Sequence, residues 1–185
     1  MIIIGIGANL PRTEDELPRK TCGQALESLN NRHIFVQKCS HWYKTAPVPI
    51  SDSPWYVNAV ASLETSLSAN DLLSELLDTE ARFGRQRSVP NAARTLDLDL
   101  LCYGTSVLDQ RIEDGNKVNL VLPHPRMHQR AFVLLPLRQL VPDWVHPVSG
   151  ATIDELISEL PPEQDSIIME DADGLFATEY KINIA

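Results

Sequence analysis

The sequence predicts an α+β fold: an antiparallel sheet with two helices on one face, followed by C-terminal additions. Three observations predict it. Four segments are rich in β-forming residues or alternate with a period of two. Two segments between them repeat their apolar residues at helical spacing. Their order along the chain is strand, helix, strand, strand, helix, strand.

Residues 2–6 form the first strand and run into Gly7-Ala-Asn-Leu10. A helix is expected over residues 21–29, where Ala25, Leu26 and Leu29 make an apolar stripe; Pro18 argues against a longer one. Residues 34–43 are a second strand, with Ile34, Val36, Trp42 and Tyr43 as β-formers. Residues 45–54 hold Pro47, Pro49 and Pro54 among serines and Asp52, which reads as a loop. Residues 55–65 are the third strand. Val57, Ala59, Ala61 and Leu63 share one face of it; Tyr56, Asn58 and Val60 share the other. Ser68 and Asp71 form a variant capping box that opens a helix through Phe83. Leu72, Leu73, Leu76, Leu77 and Ala81 are its apolar positions, and Gly84 ends it.

Residues 85–93 are a loop, and residues 96–103 the fourth strand. The order βαββαβ is the split, ferredoxin-like arrangement, which leaves one sheet face free to carry a site. Further on, the sequence predicts a hairpin over 107–122 around Gly115, a helix near 129–140 and a short one near 153–160. Residues 1–160 are expected to form a single domain. The remaining 161–185 form an acidic tail with no assigned chemistry.

At 185 residues, 43% hydrophobic and 22% charged, the chain has ordinary globular composition. Its net charge of -9 and pI near 4.9 argue against general nucleic-acid binding. Cys22, Cys39 and Cys102 form no CxxC pair, so a reducing, cytoplasmic location is expected. No apolar run is long enough to span a membrane.

The chemistry centres on residues 94–101, RTLDLDLL. On a strand, Asp97 and Asp99 share one face and Leu96, Leu98 and Leu100 the other. The two aspartate Cα atoms would lie roughly 7 Å apart. At an effective dielectric of about 20, their charges repel by roughly 2 kcal/mol. A divalent cation removes that cost, and oxygen-only ligands suit Mg²⁺. The alternative is a solvated pair, or one matched by arginines. The stretch before it carries Arg82, Arg85, Arg87 and Arg94, with no acid from 81 to 96. Guanidinium forks suit phosphate oxygens, so the combination points to nucleoside-triphosphate chemistry.

The glycine-cradle fingerprints are absent: there is no GxxxxGK[ST], and Gly5-Ile-Gly7 fails as GxGxxG at Leu10. A triphosphate would be held by arginines and metal ions instead. His124 and Arg130 are candidates to neutralise developing charge, against a structural role for the histidine; His128 reads as surface. Tyr56 and Phe132 are candidates to sandwich a flat heterocycle whose edge Asn58 reads, with core packing as the alternative.

These residues resemble a known family, the hydroxymethyldihydropterin pyrophosphokinases of folate biosynthesis. The resemblance rests on ARTLDLDLL at 93–101. It is supported by IGANL at 6–10, YKTAP at 43–47, YVN at 56–58, FGR at 83–85, LPHP at 122–125 and RAF at 130–132. It covers residues 1 to about 160. It implies a ferredoxin-like core and transfer of pyrophosphate from ATP to the pterin hydroxymethyl group, giving AMP. It also implies that Asp97 and Asp99 hold two Mg²⁺ ions, and that the pterin stacks between Tyr56 and Phe132. Asn58 with Thr45, Pro47 and Val48 would read the pterin edge. Arg85, Arg87, Arg94, His124 and Arg130 would face ATP, with Glu80 on the nucleotide side; Arg94, Arg85 and Arg87 would join the aspartates in catalysis. The partners implied are these two small molecules, with no nucleic acid, no membrane and a monomeric chain.

Two departures from the family pattern stand out. Many members carry an Arg-Trp-Gly-Pro stretch where this chain has PNAA at 90–93, and some carry an aromatic where it has Pro125. The segments 44–54 and 84–93 are candidate lids. The alternatives by class are another DxD metal-dependent phosphotransferase or phosphohydrolase, and an RNA-binding module on the same fold. The latter needs stacking aromatics on the central strands, where this chain has carboxylates.

Overall fold

The structure is a computed structural model, which describes residues 1–14, 16–31, 33–85, 93–110 and 120–169. Its main sheet contains β1 (Ile2–Ala8), β2 (Ile34–Cys39), β3 (Tyr43–Thr45), β4 (Tyr56–Thr65), β5 (Asp97–Tyr103) and β8 (Ser166–Ile168). The order is β5-β1-β4-β3-β8, with β2 also paired to β4. Every pairing is antiparallel. This is the ferredoxin-like βαββαβ order expected from the sequence.

Helices α1 (Pro18–Leu29) and α2 (Ala69–Arg82) cover one face. Cys22, Ala25, Leu26 and Leu29 of α1 and Leu72 and Leu76 of α2 pack on Ile4, Ile6, Ala59, Ala61, Leu98 and Leu100. Each fully buried leucine there contributes roughly 1.5–3 kcal/mol. Pro18 does not delay α1 but begins it. Pro sits well at a first helical position, where its missing N–H has no intrahelical acceptor anyway. Ser68 caps α2 by accepting from Asp71 N at 3.2 Å, and Gly84 follows the helix with φ +81°.

The expected second strand is two strands. Ser40 lies between them and bonds Val60 twice, donating its own N–H to Val60 O (2.9 Å) and accepting from Val60 N at Oγ (3.0 Å). The chain there leaves the β2 edge and rejoins β4 as β3. The second sheet face is only partly free. Helices α3 (Ala131–Leu140) and α4 (Ile153–Ser158) lay Val133, Leu134, Leu137, Ile153 and Leu156 on Ile3, Val60, Leu101 and Cys102. A register shift between Ile3 and Ile4 leaves Leu101 without a partner on β1, a bulge beside the aspartates. The expected hairpin is present as β6 (Leu108–Gln110) paired with β7 (Leu120–Leu122); its tip, with Gly115, lies outside the described residues. Within the expected tail, β8 adds a strand to the sheet by pairing with β3.

Candidate active site

Strand register builds the floor of the site. Gly7 of β1 pairs with Asn58 on one side and Asp97 on the other; Gly5 pairs with Val60 and Asp99. Paired residues share a face, so Asn58, Gly7 and Asp97 form one row, and Val60, Gly5 and Asp99 the next. The glycines leave the sheet bare between the side chains. A Cβ on Gly7 would stand 2.5 Å from Asn58 Oδ1. A cleft of about 480 Å³ opens above this floor. It ends where α3 begins to cover the sheet, and Phe132 and Arg130 stand at that edge.

One end of the cleft is polar and uncharged. Asn58 is 6% exposed and donates from Nδ2 to Thr45 Oγ1 at 2.6 Å. Pro47 and Val48 follow on the loop, Tyr56 lies two residues from Asn58, and Phe132 faces the cleft from α3. Together these present two rings and an amide edge to one cavity. Asn9, read in the sequence only as part of a motif, ties the walls together. It donates from Nδ2 to Pro54 O (3.1 Å) and accepts from Arg94 N at Oδ1 (2.8 Å), while its own N–H donates to Arg94 O (3.0 Å).

The other end is charged. Asp97 is flanked by Arg85 Nη1 and Arg94 Nη1, each 2.7 Å from one of its oxygens. Arg94 also hydrogen-bonds Tyr56. Asp99 Oδ2 lies 3.7 Å from Arg130 Nη1 and 4.0 Å from His124 Nε2. Burial, then the neighbouring Asp97 charge, raises the Asp99 carboxyl, and Arg130, Arg85 and Arg94 oppose that rise. The arginine-matched alternative is thus present at Asp97. Arg126 also lines the cleft, so four arginines face two aspartates there, a net positive site in a chain of net charge -9. Arg87 lies outside the described residues, as do positions 86–92 of the second candidate lid.

His124 is favoured in its neutral form beside Asp99. Its Nδ1 accepts from Arg126 N at 3.2 Å, which places the proton on Nε2, facing Asp99. Burial first, then Arg130 and Arg126, pushes the imidazole down to about 4. Glu80 lies beneath the cleft, not along it. It is 1% exposed, pairs with Arg85 and accepts from Leu98 N at 2.7 Å, so it fixes both an arginine and the aspartate strand.

The donor set fits Mg²⁺. Asp97 and Asp99 offer oxygen only, and no group of three or more metal-binding side chains gathers among the described residues. Mg²⁺ commonly takes one or two carboxylates and completes its shell with phosphate and water.

Comparison with known proteins fits this site. Residues 3–142 match the family described as 7,8-dihydro-6-hydroxymethylpterin-pyrophosphokinase. The chain is 39% identical over 158 residues to the 2-amino-4-hydroxy-6-hydroxymethyldihydropteridine pyrophosphokinase of Synechocystis sp., covering 85% of this chain and 75% of that one. It is 38% identical over 156 residues to the Haemophilus influenzae protein of the same name, covering 84% and 90%. For the Pseudomonas aeruginosa protein of that name the identity is 35% over 162 residues, covering 88% and 93%. With three quarters of the chain matched and relatives of this similarity, the protein belongs to the 7,8-dihydro-6-hydroxymethylpterin-pyrophosphokinase family.

Proposed function

We propose that this chain transfers pyrophosphate from ATP to the hydroxymethyl group of 6-hydroxymethyl-7,8-dihydropterin, in the cleft between β1, β4 and α3. The observation that supports it most is the row Asn58–Gly7–Asp97. It sets an amide that can read a heterocycle beside a carboxylate that can hold a metal–phosphate group, with nothing but a glycine between. A donor and an acceptor substrate bound side by side need such an arrangement.

In this reading the pterin lies between Tyr56 and Phe132, with its edge toward Asn58, Thr45 and the backbone of Pro47 and Val48. The triphosphate lies along Arg85, Arg94, Arg126 and Arg130. Asp97 and Asp99 would hold two Mg²⁺ ions, which when bound would offset phosphate charge. The hydroxymethyl oxygen attacks the β-phosphorus. A new C–O–Pβ linkage forms, the bond from Pβ to the α,β-bridging oxygen breaks, and AMP leaves carrying that oxygen. The hydroxyl proton passes to solvent. Arg94 bridges Asp97 and Tyr56, so its guanidinium stands at the junction of the two substrates. His124 donates from Nε2 to oxygens gathered at Asp99. Positioning and charge stabilisation provide the rate, as in other phosphoryl transfers.

The chain is read as a monomer acting on small molecules in the cytoplasm; no described helix is long and apolar enough to cross a membrane. Purified protein with Mg²⁺, ATP and the hydroxymethyl pterin should form AMP and the pterin diphosphate in equal amounts. AMP formation that ignores the pterin, or none at all, would overturn the reading.

A further inference from the structure

We propose that Gln164 is a positioning residue for the transfer reaction, holding the backbone on both sides of Arg130 and joining the two walls of the ring-binding slot. Gln164 lies outside the stretch 3–142 that matches the family. Its Oε1 accepts from Ala131 N at 2.8 Å, and its Nε2 donates to Gln129 O at 2.8 Å. The residue between is Arg130, in extended conformation (φ -124°, ψ 112°) at the N-cap of α3.

A helix start needs acceptors for its first N–H groups, and a guanidinium has none to give. Arg130 makes no side-chain cap hydrogen bond. Gln164 supplies one acceptor from a distant part of the chain. It thereby fixes the peptide planes on either side of Arg130, whose Nη1 lies 3.7 Å from Asp99 and whose Cζ sits 5.3 Å from the Phe132 ring centroid.

The residues after Gln164 hold the opposite wall. Asp165 O accepts from Ala46 N at 3.1 Å, Ser166 pairs with Thr45, and Met169 N donates to Trp42 O at 2.8 Å. Thr45 in turn accepts from Asn58. Residues 164–169 therefore run from the Phe132 wall to the Thr45 wall and set the spacing between them. The inference rests on the functional reading above, in which the pterin occupies that slot.

The test uses the full chain with Gln164→Ala and Gln164→Glu, assayed well below either Tm. A glutamate keeps the acceptor for Ala131 N and suits a helix N-terminus, but it cannot donate to Gln129 O. Gln164→Glu should therefore keep a Tm at or above that of Gln164→Ala. Both variants should nevertheless lose roughly tenfold in kcat/KM for the pterin at saturating ATP. If Gln164→Glu recovers wild-type kcat/KM along with its Tm, the residue serves helix stability alone and the proposal is overturned. Wild-type kcat/KM in Gln164→Ala overturns it as well. Unmutated protein that forms no AMP from the pterin overturns the functional reading first, and this proposal with it.

Discussion

Gly7 and Asn58 face each other across β1 and β4 so closely that a Cβ on Gly7 would stand 2.5 Å from Asn58 Oδ1. Gly7→Ala therefore forces the Asn58 amide to move, breaking its bond to Thr45 Oγ1. Overpacking of this kind costs about 1–3 kcal/mol. Pterin affinity should fall at least about tenfold, measured by titration against the folded variant. Gly5→Ala is the control, since its Cβ meets only side-chain carbons of Leu101, at 3.4 to 3.7 Å. Equal pterin affinity in both variants would remove Asn58 from the ring site.

Asp97 and Asp99 should separate in stability while agreeing in activity. Asp97→Asn takes the carboxylate from two guanidiniums at 2.7 Å, on groups about one fifth exposed, where solvent screening keeps such pairs modest. Asp99→Asn removes a carboxylate whose charged form is disfavoured by burial and by Asp97, so its Tm should hold or rise. Both should lose at least about a hundredfold in AMP formation. A variant pair with near-normal turnover would sink the metal assignment.

Much of the fold was legible because it is periodic. Alternation placed Asp97 and Asp99 opposite Leu98 and Leu100, and helical spacing placed Leu72 and Leu76 on the buried side of α2. What stayed hidden depends on contacts between distant residues. Asn9 meets Arg94 across 85 positions, and Gln164 meets Gln129 across 35. Neither leaves a local pattern, because a side-chain amide bonding a remote backbone constrains only the pair. Gly5 and Gly7 did leave a signal: glycine inside a strand marks close approach of other groups. Read only against a nucleotide fingerprint, that signal points nowhere. The burial of Glu80 follows from the inward turn of its helix face toward Leu98.

Asn9 gives a prediction about loop coupling. Asn9→Ala removes the partners of Pro54 O and Arg94 N; Pro54 is exposed and Arg94 half-buried, so each lost bond costs about 0.5–1.5 kcal/mol. KM should rise for both substrates, because one bond holds the proline loop and the other holds Arg94. Asn9→Asp keeps the acceptor for Arg94 N and loses only the donor to Pro54 O. Its KM for the pterin should rise while that for ATP stays closer to wild type. A larger effect on ATP than on the pterin would contradict this division.

Glu80 makes the pH dependence of stability predictable. Burial, the leading cause, pushes its carboxyl from 4.5 up to about 7, against the Leu98 N–H and Arg85, which favour the charged form. Between those two values the folded protein binds a proton that the unfolded chain has released. Stability from this group is therefore full below about 4.5, falls as pH rises, and is gone above about 7. The loss across that window is on the order of 3 kcal/mol. His124 works in the opposite sense. Its imidazole is pushed down to about 4, so its contribution grows as pH rises through the folded value toward the unfolded one. Comparing wild type with Glu80→Gln removes His124 from the difference. The glutamine keeps an oxygen for Leu98 N and has no charge to desolvate, so its Tm should gain on wild type steadily from pH 5 to pH 7.5. A constant offset between the two Tm curves over that range would mean that Glu80 stays ionised throughout, held by Arg85.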